Sequence, residues 1–181
     1  MFLSIFIIVV CLVFDQATKT IAHENLPRFH KISFINDTIR LQYAENAGAA
    51  FSIGANLPEA WRWAIFGLGQ GIFLLLLAYY LIKNRHQMAV QFYGFVFILG
   101  GGLGNFLDRL YRDGVVVDFL NVGFGTIRTA IFNVADMAIT LGLALLIWSM
   151  IQQSREEKKE DLDAIDDELP AKLQSEDPNP L

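Results

Sequence analysis

The sequence has one cysteine, three histidines and no extended basic region. Because Cys11 has no second cysteine to pair with, an intrachain disulfide is excluded. The histidines, His23, His30 and His86, are scattered and form no HExxH motif, which argues against a histidine-based metal site. Nucleic-acid binding needs a dense basic stripe, so we expect no nucleic acid as a partner.

Charged residues are concentrated at the C-terminal end of the chain. The formal net charge is −5, but the segment from Arg155 onward has ten acidic and four basic residues, so the preceding part carries +1. The segment also lacks aromatic residues, and this composition is typical of disordered chains. Residues 153–181 are therefore predicted to form a disordered acidic cytoplasmic tail, solvated rather than bound to a partner.

The rest of the chain is too apolar for an ordinary soluble domain. Hydrophobic residues make up 54% of the sequence, and the mean hydropathy is +0.39. A membrane-spanning helix needs roughly 20 mostly apolar residues, and the windows 63–82 and 88–107 have no charged residue. The first and last apolar segments qualify if Asp15, Lys19 and Asp136 are tolerated. The prediction is a membrane domain over 1–152 with four helices, at about 1–22, 61–82, 88–108 and 131–152.

The helix ends indicate how the chain is inserted. Asp15 and Lys19 are spaced i,i+4, which places them on one helix face where they can pair. The opening segment lacks the basic region and the small-x-small site of a cleaved secretory signal, so a retained helix is favoured. Lys83 and Arg85 lie in the short linker after the second helix, and Arg155 follows the fourth. The positive-inside rule then predicts that both termini are cytoplasmic.

Polar residues of three predicted helices share one depth in the membrane. The first and third helices run in the same direction and the fourth returns, so their polar ends meet. The six residues concerned are Asp15, Lys19, Asn105, Asp108, Asn133 and Asp136. Snorkelling of helix-end residues, or an N-cap role for Asn133, accounts for one such residue more easily than for six. We therefore expect a functional surface at one mouth of the bundle, where the two long loops also open.

Two segments of those loops have strand patterns. Residues 38–43 alternate apolar and polar side chains after a predicted turn at Asn36 and Asp37, and residues 115–120 are short and β-branched. The predicted fold class is an all-α membrane protein, a four-helix bundle with a small extracytoplasmic β-sheet from loops 1 and 3. That sheet would hold Asp118 over Asp136.

Asp118 and Asp136 form a candidate hydrolytic pair. Two neighbouring carboxylates in a low dielectric share a proton, so one can take a proton from water while the other protonates a leaving amine. Which aspartate has which role stays open. A Ser–Lys pair of Ser52 with Lys19 and an all-carboxylate metal site are weaker alternatives. No metal or other cofactor is predicted.

Four motifs resemble those of the bacterial lipoprotein signal peptidases, also called signal peptidase II. They are FDQATK (14–19), ENAGAAFS (45–52), GNFLDRLYRDGVVVDFL (104–120) and FNVADMAI (132–139). The resemblance implies an aspartyl endopeptidase of the inner membrane that cuts prolipoproteins before a diacylglyceryl-modified cysteine, near the extracytoplasmic face. It also implies membrane lipids as partners, and none of the motifs requires a second copy, so a monomer is expected.

The resemblance assigns roles to individual residues. Asp118 and Asp136 match the catalytic aspartates. The residues that match positions supporting the pair or binding substrate are Asn46, Gly48, Asn105, Asp108, Arg109, Asn133, Asp15 and Lys19. Small residues at 100–104 and 47–55 are expected to leave room for the lipidated cysteine, although helix packing also explains the glycines at 100–104.

A small proton-coupled transporter is the alternative function, because acidic residues at helix mouths also serve as proton relays. Such a transporter needs a polar path across the membrane, and the cytoplasmic half of the predicted bundle has no matching polar residues. A membrane protein with a purely structural role would not explain the clustered acids.

Overall fold

Four long apolar helices dominate the computed structural model, which describes residues 2–49, 52–86 and 89–175. They are α1 (Phe2–Asn25), α2 (Glu59–Lys83), α3 (Val90–Tyr111) and α4 (Val134–Ser175). By length and composition each contains a stretch able to cross a membrane. The four-helix membrane fold is confirmed. Residues 1, 88 and 176–181, which belong to the predicted first helix, third helix and tail, lie outside the described part.

Helix α4 is much longer than the apolar segment that predicted it. It continues to Ser175, through most of the segment for which the sequence predicted disorder. Glu, Lys, Ala and Leu are frequent there and favour helix, and Glu156 and Lys159 are spaced for an i,i+3 pair. Composition therefore identified a charged segment, but the backbone follows local helix propensity. The division into a membrane domain and a tail stays a prediction.

Helix α3 is the central helix of the bundle, and its glycines allow the others to approach it. Gly100 and Gly104 face α1, Gly101 faces the backbone of α4, and Gly102 faces α2. A methyl group at any of the four would press on a neighbouring helix. The packing role of this segment is confirmed, and the expectation that it leaves room for a substrate is wrong, because other helices fill the space.

A four-stranded antiparallel sheet lies at one end of the bundle. Its strands, in spatial and chain order, are β1 (Ile32–Phe34), β2 (Ile39–Asn46), β3 (Val116–Phe124) and β4 (Ile127–Arg128). The predicted strands correspond to β2 and β3, and the predicted turn is present, with positive φ at Asn36 and Asp37. A bulge in β2 between Leu41 and Ala44 sets the register that places Ala44 opposite Asp118.

Candidate active site

Asp118 lies in the middle of β3 and is 3% exposed. The β-branched residues Val116 and Val117 before it favour a strand, and the strand carries the carboxylate over the bundle mouth. One oxygen accepts a hydrogen bond from Asn133 Nδ2 at 2.7 Å, and the other accepts one from Asn46 Nδ2 at 3.2 Å. Asp118 is therefore held from α4 on one side and from β2 on the other.

Asp136 lies in the first turn of α4, where it forms a capping box with Asn133. The N–H of Asp136 donates to Asn133 Oδ1 at 2.9 Å, and the N–H of Asn133 donates to Asp136 Oδ2 at 3.1 Å. Asn133 thus has the N-cap role that the sequence offered as an alternative to a functional one. The other Asp136 oxygen accepts a hydrogen bond from Asn105 Nδ2 at 2.8 Å, which ties it to α3.

Asn133 joins the two aspartates through a single side-chain amide. Its carbonyl oxygen accepts the N–H of Asp136, while its nitrogen donates to Asp118 and also to Asn105 Oδ1 at 3.1 Å. The residue is fully buried. A buried amide with its donors and acceptor all used has one orientation, so the relative position of the two carboxylates is fixed by it.

A buried ionic cluster lies behind these residues. Lys19 Nζ is 2.8 Å from Asp15 Oδ2 and 3.3 Å from Asp108 Oδ2, and it donates to Asn105 Oδ1 at 2.9 Å. The three charged side chains are at most 1% exposed, so they are shielded from solvent. The predicted i,i+4 pairing of Asp15 with Lys19 is confirmed. Because Lys19 is committed to this cluster, it is not available as the base of a Ser52–Lys19 pair.

The cluster also holds backbone groups of the site. Asp15 accepts the N–H of Ala135 in the first turn of α4 at 2.8 Å, so α1 caps α4. Asp108 accepts the N–H of Val117, next to Asp118, at 2.9 Å. The two carboxylates therefore fix the elements that carry Asp136 and Asp118.

Arg109 attaches the loop after β2 to the bundle. It donates to the carbonyl of Gly48 at 2.7 Å and to Gln70 Oε1 on α2 at 2.9 Å. Asn46 closes the same turn by accepting the N–H of Gly48 at 2.9 Å. A Cβ on Gly48 would run into the backbone carbonyl of Ile53, so this glycine permits a close approach of backbone to backbone. The expectation that the small residues at 47–55 leave room for substrate stays a prediction; positions 50 and 51 of that loop lie outside the described residues.

Two glutamines belong to this network and were not singled out in the sequence. Gln70 holds Arg109, and Gln16 donates to Asp108 Oδ1 at 3.1 Å. Gln70 stands as a lone amide inside an apolar span. That isolation was the available signal, since polar groups within spans usually have partners.

A cavity of about 740 Å³ opens beside the two aspartates. Six of the ten predicted site residues line it: Asp118, Asp136, Asn46, Gly48, Asn105 and Arg109. The other four, Asn133, Asp15, Lys19 and Asp108, do not line it. Further along α4 the lining is mostly apolar, formed by Met137, Leu141 and Ala144 together with Thr140. The cavity thus has a polar end at the carboxylates and an apolar end against the membrane-spanning part of α4.

Comparison with known proteins decides the family. The sequence model for signal peptidase (SPase) II matches residues 7–152. The chain belongs to the signal peptidase II family. Lipoprotein signal peptidases of Halalkalibacterium halodurans and Francisella tularensis subsp. novicida are 35% and 37% identical to it; the first match covers 83% of this chain and 93% of the relative, the second 74% and 81%.

Solved structures agree with the family assignment. A bacterial membrane enzyme determined by the in meso method at 2.3 Å superposes with a TM-score of 0.74 at 30% identity, over 85% of this chain and 90% of the other. A second, at 1.9 Å, superposes with a TM-score of 0.70 at 28% identity, over 83% and 93%. The chain is therefore a peptidase of lipoprotein processing, in the form of a multi-pass bacterial membrane protein.

The environment of Asp118 favours the protonated form of its carboxyl group. Burial, and then the charge of Asp136, raise the pKa of Asp118 from 3.8 to about 7, against the opposing effect of the hydrogen bonds from Asn133 and Asn46. The carboxyl group thus keeps a proton up to neutral pH, which a general acid needs.

Proposed function

We propose that this peptidase cleaves prolipoprotein signal peptides on the N-terminal side of a diacylglyceryl-modified cysteine, using Asp118 and Asp136 as an aspartyl dyad. The observation that carries the proposal is the shared amide of Asn133, which holds both carboxylates at one wall of one cavity. Carboxylates placed in this way share a proton, and an acid and a base are then present together.

In the proposed reaction the ionised aspartate takes a proton from a water molecule as the water oxygen bonds to the scissile carbonyl carbon. The protonated aspartate hydrogen-bonds the carbonyl oxygen as negative charge develops on it. When the carbon–nitrogen bond breaks, the leaving amine takes a proton from the dyad, and the carboxylic acid product departs with the signal peptide. Each aspartate exchanges one proton in the cycle, so the pair returns to its starting state.

The shape of the cavity suits a lipid-linked peptide. Its polar end lies in the first turn of α4, just below the helix end, where a peptide bond next to a lipidated cysteine would lie. Its apolar end follows Met137, Leu141 and Ala144 along the same helix, where diacylglyceryl chains would stay in a hydrocarbon environment. The peptide and its lipid thus match different parts of one cavity.

The supporting residues divide into two groups in this proposal. Asn46, Asn105 and Arg109 line the cavity, where a bound substrate backbone would contact them, and Gly48 shapes the turn beside them. Asp15, Lys19 and Asp108 are positioning residues that act through α4 and β3. No metal or other cofactor takes part in the proposed reaction.

We also propose how the enzyme is placed in the cell. Lys83 and Arg85 lie at the end of the bundle opposite the dyad, so the positive-inside rule puts that end and both termini in the cytoplasm of the inner membrane. The dyad and the sheet then face the extracytoplasmic side. The proposed unit is a monomer, because one chain supplies both aspartates.

Lipid dependence is the direct test of the proposed substrate. We expect purified protein in detergent or vesicles to cut a diacylglyceryl-modified prolipoprotein, with the modified cysteine as the new N-terminus in mass spectra. The same precursor without the lipid should be cut far more slowly, because it cannot fill the apolar end of the cavity. Equal cleavage of both precursors would contradict the substrate assignment. Proton uptake into vesicles with no cleavage would favour the transporter.

The structure gives little support to a transporter. Among the residues that it describes, Ser4 is the one buried polar side chain near the end of the bundle opposite the dyad. A proton relay needs titratable groups along its length, and a serine is not titratable near neutral pH.

A pH profile tests the dyad separately. We expect kcat to fall as the pH rises through about 7, because Asp118 loses the proton that it retains below that value. Asn46 donates to Asp118 and thereby lowers the pKa of that carboxyl. In Asn46→Ala the descending limb should therefore move to higher pH, whatever the absolute rate. A limb that stays in place or moves to lower pH would exclude Asp118 as the group that titrates.

A further inference from the structure

The end of α4 that lies farthest from the dyad reaches the opposite boundary of the membrane. Ser154 follows Val134, the first residue of this helix, by 20 positions, and at 1.5 Å per residue they are about 30 Å apart. This distance matches the thickness of the hydrocarbon core of a bilayer. Ser154 and Arg155 therefore lie at the level of the phospholipid headgroups.

One side of α4 near this boundary packs on α3, and the other side is open. Gly142 lies so close to α3 that a methyl group on it would press on the carbonyl oxygen of Gly94. The large side chains on the opposite side are 58%, 59% and 47% exposed, and they are Ile147, Trp148 and Ile151. In a membrane-spanning helix, side chains with this exposure face lipid. Arg155 follows Ile151 by four positions and so lies on the same side.

The charged residues after the boundary are sorted around the helix. Because an α-helix turns about 100° per residue, Lys158 and Lys159 lie within about 60° of Arg155. The glutamates of the same turns lie about 100–160° from it, and they are Glu156, Glu157 and Glu160. The positive charges are thus on the side that faces lipid, and the negative charges are on the side that packs on α3.

Arg155 has no acidic residue three or four positions away in either direction. Lys159, by contrast, is spaced for a pair with Glu156. Pairs at these spacings are the ones that neutralise charge along a helix surface. The charge of Arg155 is therefore available to a ligand from outside the helix.

A groove of about 560 Å³ lies on this side of α4. It is lined by three apolar residues followed by three polar ones: Ile147, Met150, Ile151, Ser154, Arg155 and Lys158. The apolar part lies in the hydrocarbon region, and the hydroxyl and the two cations lie at headgroup level.

The groove is separate from the substrate cavity. The lining that α4 gives to the cavity ends at Ala144, before the groove begins. Arg155 follows Asp136 by 19 positions, which is about 28 Å along the helix. The groove therefore belongs to the leaflet opposite the dyad.

We propose that this groove binds one anionic glycerophospholipid. Its phosphate accepts hydrogen bonds from the guanidinium of Arg155 and the ammonium of Lys158, and one acyl chain lies against Ile147 and Ile151. Hydrogen bonds between these cations and a phosphate are charge-assisted, and arginine fits phosphate geometry well.

Charge and shape together select this occupant. A zwitterionic lipid carries an ammonium group of its own, which the two cations of the groove repel, whereas an anionic lipid does not. A free phosphate ion would leave the apolar part of the groove unfilled. Each cation near the membrane surface strengthens the binding of an anionic lipid by about fivefold.

Trp148 is the reporter for the test, because it lies on the same side of the helix as Arg155 and about 10 Å deeper in the membrane. The full-length variant Trp61→Phe with Trp63→Phe leaves it as the single tryptophan. The protein is placed in phosphatidylcholine vesicles that contain increasing amounts of brominated phosphatidylglycerol or brominated phosphatidylcholine. Bromine on an acyl chain quenches tryptophan fluorescence on contact, so the two titrations give the relative affinity of the two lipids at this position.

We expect phosphatidylglycerol to be preferred at Trp148 by at least fivefold. In Arg155→Gln with Lys158→Gln this preference should disappear. The matched control is Lys83→Gln with Arg85→Gln, which removes two exposed cations from the same end of the bundle but outside the groove, and it should keep the preference. Thermal unfolding of every variant is compared with that of the parent to establish that it is folded.

Equal quenching by the two lipids, or a preference that survives the loss of Arg155 and Lys158, would overturn the proposal. Loss of the preference in the Lys83 and Arg85 control would show that general surface charge is responsible. Absence of quenching by either lipid would show that protein, such as a second copy, covers the groove. Displacement of the lipid by inorganic phosphate, but not by potassium chloride of the same ionic strength, would show a site for a free anion. These readouts do not use cleavage, so they are independent of the proposed function.

Discussion

Asp118→Asn and Asp136→Asn are each expected to lower the rate of prolipoprotein cleavage by about 10²–10⁴-fold, the range that a general acid or base contributes. Neither amide can take a proton from water, and neither can restore the shared proton of the pair. The loss should appear in kcat under saturating precursor, because the amide side chains keep the shape of the cavity. The measurement is the initial rate of release of the signal peptide by purified enzyme.

Asp113→Asn is the matched control for this prediction. Asp113 is an exposed carboxylate in the turn between α3 and β3 with a φ of 52°, a conformation that asparagine tolerates. The same chemical change there should leave the rate unchanged. A dyad variant that cleaves as fast as Asp113→Asn would contradict the proposed mechanism.

Loss of cleavage in Asp118→Asn should not come from loss of the fold. The pKa of Asp118 is raised in the folded protein, so the folded state holds a proton that the unfolded chain releases above its ordinary pKa of 3.8. Stability from this group is therefore lost as the pH rises from about 4 to about 7, and ionised Asp118 is unfavourable above that range. An asparagine at position 118 cannot ionise, and its side-chain oxygen can still accept the hydrogen bond from Asn133. Thermal unfolding at pH 8 should accordingly be no easier than in wild type.

Lys19→Met is expected to destabilise the bundle by about 3–5 kcal/mol, the typical cost of removing one partner from a buried ion pair. Lys19 is fully buried and neutralises both Asp15 and Asp108. Without it, two carboxylates remain in a site shielded from solvent, and methionine fills the volume without the charge. The free energy of unfolding can be measured by titration with sodium dodecyl sulfate in mixed micelles.

Lys31→Met is the control, because Lys31 is an exposed lysine 3.9 Å from Asp37 and such pairs are worth less than about 1 kcal/mol. The double variant Lys19→Met with Asp108→Asn should be more stable than the sum of the single effects, since it removes one of the stranded charges. Equal unfolding of Lys19→Met and Lys31→Met would show that the cluster contributes little to the fold.

The sequence predicted the helices well because each has a long apolar run, and an apolar run long enough to cross a bilayer is expected to form a helix. It predicted β2 and β3 from alternation and β-branched residues. Strands β1 and β4 have three and two residues, too few for a period of two to be recognised.

The site was predicted in part, for a physical reason. Asp15, Lys19 and Asp136 were conspicuous because charge is costly in an apolar segment. Their predicted depth in the membrane was enough to place them at one end of the bundle. The hydrogen bonds of Asn133 to Asp118 and Asp136 depend on side-chain orientation, which the spacing of residues in the sequence does not specify. Gln70 is an uncharged amide, so placing it in a membrane span costs less free energy than placing a charged residue there. It was therefore not predicted as a site residue.

The cap that Asp15 places on α4 has a consequence for biosynthesis. This bond, to the N–H of Ala135, joins the helix that is synthesised before the other three to the helix that is synthesised after them. Until α4 is inserted, Asp136 is absent and Asp118 has no Asn133 to hold it. Under the proposed mechanism, a nascent chain therefore has no proteolytic activity before α4 is inserted.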